Sequence, residues 1–394
     1  MNEEIHHYLE FLIYCLDENA THIPECVREI NWHDLLLFAD KQAIIGIYWQ
    51  GIEKLFALDK ANADVKGHSA EDVFYGNKPK HADLIEWIGF IREIASKNDI
   101  MNEQATQIST KFEQAGFNTC ILKGQGNALL YPKPELRMPG DIDIWLYQKG
   151  GKQDMDDNVR RVIAFCREYV PNAKACYHHI DFMDVENIPT EVHYRPSWLN
   201  CPWRNRKLQA YFEFHAAEQF NNSTELPNGA EPINRPQAEF NVVFLLSHIY
   251  NHLLHEGIGL RQLIDYYYLL VRIYNNKVKN DDHKDWRALL SKLGLLTIGG
   301  TVSWILIEML GMEPKYALVK PDERRGRFVM KEILAAGNFG RFDNRILSGN
   351  YSSPLLANLQ RLLRDLRMIR YFPSECIWEP WFRIYHWWWR KRHS

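Results

Sequence analysis

Two carboxylates stand two residues apart in the run Gly140-Asp141-Ile142-Asp143-Ile144-Trp145. In an extended strand, residues two apart point to the same face. Asp141 and Asp143 therefore share one face, and Ile142 and Ile144 the other. Like charges at this spacing repel and are costly to bury unless a cation stands between them. Hard divalent ions such as Mg²⁺ take oxygen ligands of this kind, with substrate phosphates completing the shell. A third carboxylate, Glu191, lies on a later short strand, on the same face as His193 and Arg195, while Val192 and Tyr194 take the opposite face. The competing readings are a solvent-facing edge strand for the aspartates and a surface ion pair with Arg195 for Glu191. Apolar Ile142, Ile144 and Trp145 argue for a central strand instead.

The elements that must hold these groups follow from periodicity. The stretch Thr119–Tyr147, TCILKGQGNALLYPKPELRMPGDIDIWLY, combines an apolar strand, a glycine-bearing turn, a short polar connection and a second apolar strand. Strands are expected over 117–122 and 142–146. A short helix over 127–131 is expected between them, limited by Pro132 and Pro134. Before this stretch, a long helix is expected over 81–115, with Gly116 ending it. After the Gly150-Gly151 break, 155–169 is helical. Strands over 175–183 and 188–194 flank Asp184-Val185-Glu186-Asn187 as a hairpin. Adjacent His178 and His179, read within a strand, point oppositely and so cannot share one ion.

Residues 1 to about 75 show helical spacing, and 61–80 is polar and glycine-bearing, a loop or linker. Residues 196–234 are irregular and proline-rich, marking a change of domain, and from Gln237 onward the pattern is helical. The expected division is an N-terminal helical region over 1–80, a core over 81–215 and a C-terminal helical domain over 236–394. A chain of 394 residues is too long for one ordinary core. The net charge of −3 argues against a dedicated nucleic-acid binder. Seven irregularly spaced cysteines without a CxxC pair fit neither a disulfide framework nor a zinc knuckle. With no leader-like N-terminus and no apolar run of about 18 residues, a reduced cytoplasmic location is expected.

Strand, Lys-Gly turn, short helix, Asp-x-Asp strand, helix and a strand with a third carboxylate resemble the DNA polymerase β nucleotidyltransferase superfamily. The LKG, R-x-x-GDIDIW and EVHYRPS segments resemble its bacterial branch of uncharacterised nucleotidyltransferases. The resemblance covers about residues 81–200 and departs from the usual pattern where Gly124-Gln125-Gly126 replaces a Gly-Ser turn. It implies an α+β fold: a polymerase β-like core of short mixed sheet and helices, flanked by N-terminal and C-terminal helical regions. It also implies nucleotidyl transfer by a two-metal mechanism, with an NTP as substrate and Mg²⁺ or Mn²⁺ held by Asp141, Asp143 and Glu191. Lys123, Gly124, Gly126, Arg137 and Gly140 would then meet the nucleotide phosphates, the glycines through backbone N–H groups and Lys123 and Arg137 through charge. His193, Arg195, Arg261 and Asp265 are expected at the substrate, although Arg261 and Asp265 also suit a helical ion pair. The acceptor stays open among small molecule, sugar and protein, with nucleic acid disfavoured.

Three further features are not absorbed by this. His248, His252 and His255 fall near one face of a helix and are expected in the core or lining a groove, since a zinc site would need a further ligand. The tail runs from Trp378 through Trp381, Phe382, Tyr385, Trp387, Trp388 and Trp389 into Arg390-Lys391-Arg392. It is expected to cap the helical domain, the second reading being a membrane-interface helix. Finally, a non-catalytic nucleotide- or partner-binding protein keeping the same fold is the alternative to an enzyme; three clustered carboxylates favour the enzyme.

Overall fold

Short apolar segments separated by turns build a four-stranded mixed sheet, and amphipathic helices cover it. The computed structural model describes residues 3–20, 22–64, 72–150, 154–183, 188–227, 231–280, 285–343 and 354–393. Three helices open the chain, α1 (Glu3–Leu16), α2 (Trp32–Gln42) and α3 (Ile45–Asp64), followed by the long α4 (His81–Gln114). Gly116, at φ +88°, lets the chain leave α4 straight into β1 (Phe117–Ile121). Then come α5 (Gln125–Ala128), β2 (Ile142–Gln148), α6 (Met155–Tyr169), β3 (His179–Met183) and β4 (Pro189–His193). The expected 184–187 hairpin turn lies outside the described residues, as does Gly151, but β3 and β4 pair antiparallel as a hairpin requires.

The strand order is β1-β2-β4-β3, with β1–β2 antiparallel and β2–β4 parallel. One sheet face carries Ile142, Ile144, Leu146, Ile180, Phe182 and Val192 against Ile108 and Phe112 of α4 and Val159, Val162 and Ile163 of α6. The other face carries Trp145, stacked on Phe240 at 5.8 Å between ring centroids. Alternation along β2 thus separates a dry core from the face that bears Asp143.

The 196–234 stretch is more ordered than its prolines imply. It contains α7 (Pro202–Phe214), the one-turn α8 (Ala216–Gln219) and a small ladder of β5 (Ser223–Thr224) with β6 (Ile233–Asn234). Pro202 starts α7 instead of breaking it, because the first helical turn has no use for its missing N–H. Glu375 fixes this start from far along the chain, accepting from the N–H groups of Asn200 and Cys201 at 2.7 and 3.1 Å. The 61–80 segment is also not all loop: α3 runs to Asp64, and Val73 and Phe74 are buried.

The remaining helices are α9 (Ala238–His255), α10 (Leu260–Asn280), α11 (Trp286–Leu293), α12 (Leu296–Leu310), α13 (Glu323–Ala336), α14 (Pro354–Met368) and α15 (Pro373–Arg392). Buried side chains of α1–α3, including Phe11 and Tyr48, belong to one continuous cluster with those of α9, α10 and α12. The two ends of the chain therefore share a core. No helix among the described residues is long and apolar enough to cross a membrane.

The tail is corrected. Helix α15 docks on the sheet-bearing core, with Trp389 buried beside Tyr177 and Tyr194 and Phe382 against Trp198. Trp381, Tyr385, Trp387 and Trp388 remain exposed. A bare aromatic count does not show which rings of an amphipathic helix face inward.

Candidate active site

Strand register brings the carboxylates together. Across the parallel β2–β4 ladder Asp143 stands opposite Glu191 and Trp145 opposite His193. Asp141 sits just before β2, more open than Asp143, which is fully buried. One oxygen from each of Asp141, Asp143 and Glu191 lies within 4.8 Å of the other two. Oδ1 of Asp143 faces Nζ of Lys123 at 3.1 Å and Nε2 of His193 at 3.0 Å; its Oδ2 is buried with no hydrogen-bond partner. A buried carboxylate oxygen without a donor is costly, and it is the kind of ligand that a hard divalent cation takes. The residues present thus fit a Mg²⁺ or Mn²⁺ site.

The electrostatics have the same cause. Burial, then the charge of Asp141, holds the Asp143 carboxyl above its ordinary range. Burial also opposes the Glu191 charge, but the hydrogen bond from His193 and the charges of His179 and Lys123 outweigh it and keep Glu191 ionised. Lys123 is desolvated, yet Asp141, Asp143 and Glu191 raise its pKa, so its ammonium persists. It is not a strand-end lysine in water. Leu122 extends the β1–β2 ladder by donating its N–H to the Asp143 carbonyl, and Lys123 leaves the strand directly beside the carboxylates. Gly124 then turns at φ +61°, where a Cβ would stand 3.3 Å from the Asp141 carbonyl oxygen. Gly126 follows in the single turn of α5, and its N–H is bonded to the Lys123 carbonyl at 3.3 Å.

Arg137 and Arg261 have protein partners in the loop before Asp141 and line a small pocket with Lys123, Gly124, Gly140 and Asp141. Arg137 is buried, and its fork takes both oxygens of Asp265 at 2.8 Å each, with the Tyr131 hydroxyl adding a third bond to Asp265 at 2.6 Å. Its guanidinium is thereby committed to a protein carboxylate, the planar bidentate partner it suits best. Arg261 and Asp265 do not pair along α10: Arg261 donates to the carbonyls of Met138 and Pro139 at 3.0 and 3.2 Å, over Gly140. Asn98 of α4 holds the same loop through the carbonyls of Glu135 and Arg137. These side chains clamp 135–140 and so fix where Asp141 points. Arg195 is also displaced from its expected place: β4 ends at His193, and the Arg195 guanidinium lies over the Tyr177 ring, bonded to the Tyr177 carbonyl at 2.7 Å. It lines a separate groove with Trp381 and Tyr385.

The cleft beside the carboxylates has a volume of about 400 Å³ and is lined by Lys123, Asp141, Glu191 and His193 together with histidines from two directions. His248, His252 and His255 enter from α9, in the groove-lining role their spacing gave them. Burial and the Lys123 charge keep His248 neutral, so its Nε2 accepts from Lys123 Nζ at 3.3 Å. His178 and His179 enter from the β3 side, contrary to the opposed orientation expected of them. His178 precedes the strand in a bend, so strand alternation does not apply, and its Nε2 lies 2.8 Å from Nδ1 of His179. Trp198 completes this wall, its carbonyl held by Asn251 of α9 at 2.7 Å.

An acidic cluster at the two central strands, a buried lysine and a glycine turn thus meet at one cleft. No curated protein and no solved structure matches the chain. A family model does, over residues 28–310, and the chain belongs to the family of uncharacterised nucleotidyltransferases that this model describes.

Proposed function

We propose that the protein moves a nucleoside monophosphate from an NTP to a hydroxyl or phosphate of an acceptor, with Asp141, Asp143 and Glu191 holding Mg²⁺ or Mn²⁺. The observation that carries this reading is the buried, partnerless Oδ2 of Asp143, in a carboxylate that has one oxygen within 4.8 Å of oxygens of Asp141 and Glu191. Divalent cations held by these three carboxylates would supply activation of the acceptor oxygen and neutralisation of charge developing on the phosphates.

The chain's own residues supply the rest. His193 donates to Asp143, and both His193 and His179 approach Oε2 of Glu191, at 3.4 and 3.2 Å. These contacts hold two carboxylates in one orientation. Lys123 neutralises the acid pair and offers its ammonium to a phosphate oxygen. Gly124 keeps the backbone next to Asp141 free of a side chain, so a triphosphate can lie close to it. Arg137, Arg261 and Asp265 act as positioning residues for the loop that delivers Asp141.

The test is incubation of purified protein with α-labelled NTPs, Mg²⁺ or Mn²⁺ and a metabolite and protein extract. Transfer of label by wild type and its loss in Asp141→Asn support the reading. Nucleotide binding without transfer in any extract supports a binding protein instead.

A further inference from the structure

We infer that the groove beside Arg195 binds a small aromatic carboxylate. The groove has a volume of about 570 Å³, in the range of small-molecule pockets. It lies between the sheet-bearing core, α7 and α15, apart from the cleft that holds the three carboxylates. Tyr177 and Arg195 line the groove, whereas the next residues in the chain, His178 and Pro196, line the cleft, so one wall separates the two spaces. The inference therefore does not rest on the function proposed above, and either can fail without the other.

The aromatic side of the groove is held in place before any ligand arrives. Tyr177 donates its N–H to Nε2 of His386 at 3.1 Å, and its hydroxyl accepts from Asn205 at 2.8 Å. Phe382 and Tyr385 stand edge-on to its ring, at 5.4 and 5.9 Å between centroids. Trp381 and Tyr385 leave much of their surface open to water, and rings lining a concave space accept a planar apolar group. The charge of the ligand follows from Arg195. Its guanidinium is buried, yet among the described residues it makes one hydrogen bond, from Nη1 to the Tyr177 carbonyl. The Asp156 carboxylate stands 3.8 Å from Nη2, beyond hydrogen-bond reach, on a side chain open to water. A buried cation with donors to spare is costly, and a carboxylate is a planar partner that its fork fits. A phosphate dianion fits less well, because Asp156 and Glu213 also line the groove and repel a second negative charge.

The test is isothermal titration calorimetry on the full-length protein, with 1-naphthoate and indole-3-acetate as probes, each against its uncharged amide. Wild type is expected to bind one equivalent of acid and to bind the matching amide at least ten-fold more weakly. Asp156→Asn removes the exposed competing charge and should tighten acid binding at least two-fold. Ala210→Trp fills the groove from the exposed side of α7, leaves Arg195 in place and should abolish binding. Absence of binding by both acids, equal binding of acid and amide, or unchanged binding in Ala210→Trp overturns the inference. The comparison of acid with amide uses wild type alone and so decides the matter even where a variant misfolds. Displacement of a bound acid by equimolar inorganic phosphate would mark a general anion site and overturns the inference equally.

Discussion

Asp143 and Glu191 face each other as register partners across a parallel ladder, although 48 residues of sequence separate them. Backbone hydrogen bonds between β2 and β4 therefore set the spacing of two carboxylates, and a one-residue slip would turn Glu191 to the opposite face. The two then differ by environment: Asp143 is fully enclosed, whereas Glu191 is partly open to the cleft.

This difference predicts separable roles. Glu191→Gln should keep most of the thermal stabilisation given by NTP with Mg²⁺, because Asp141 and Asp143 remain. Turnover should fall by about ten-fold for each 1.4 kcal/mol of transition-state stabilisation removed. Parallel thermal-shift and label-transfer measurements check this; equal loss of both would make Glu191 a binding group.

Arg137 is predicted to matter before any nucleotide is present. Removing one partner of a buried ion pair costs about 3–5 kcal/mol, so Arg137→Ala should destabilise the free protein by an amount in that range. The double variant with Asp265→Ala should lose clearly less than the sum of the singles. Denaturant unfolding of the four proteins measures the coupling. Additive losses would mean that the fork does not hold the loop.

A pH effect is predicted at the α14–α15 seam. Burial, followed by the charge of Glu379, pushes the Asp365 carboxyl up to about 7. An unfolded Asp titrates near 3.9, so between about pH 4 and pH 7 the folded state binds the extra proton. Stability from this group is thus present at the acid end and lost as pH rises through about 7. The melting temperature of Asp365→Asn should lack that component and exceed wild type at pH 8. A variant with an unchanged pH profile would contradict this.

The tail is predicted to act through one ring. Trp389 is buried against Tyr177 and Tyr194, whereas Trp388 is about half exposed. Trp389→Ala should cost about 3–5 kcal/mol and Trp388→Ala well under 1 kcal/mol. Chemical denaturation distinguishes them, and strong sedimentation of intact protein with anionic liposomes would instead favour the membrane-interface reading.

What is legible in the sequence is local. Alternation in Gly-Asp-Ile-Asp-Ile-Trp marks the strand and the shared face of its carboxylates, and helical spacing marks the helix at Met155–Tyr169, which the structure reproduces. Contacts between distant segments are not legible. Arg137 and Asp265 are 128 residues apart and Asn200 and Glu375 are 175 apart, and no periodicity connects such pairs. His178 departs from its expected orientation because a bend before β3 breaks the alternation assumed for it. Helix α7 leaves little trace in the sequence because it buries only Asn205, Leu208 and Phe212, too few to print an apolar stripe.

If Asp141, Asp143 and Glu191 hold the cations that bind an NTP, thermal unfolding with NTP and Mn²⁺ will show it. A ligand at 100 times its Kd stabilises the folded state by about 2.7 kcal/mol. Wild type should show a shift of that order, dependent on both Mn²⁺ and NTP. Asp141→Asn should match the wild-type melting temperature without ligand, or slightly exceed it because one repelling charge is gone, and should gain nothing from NTP with Mn²⁺. Equal stabilisation of wild type and Asp141→Asn would contradict the account.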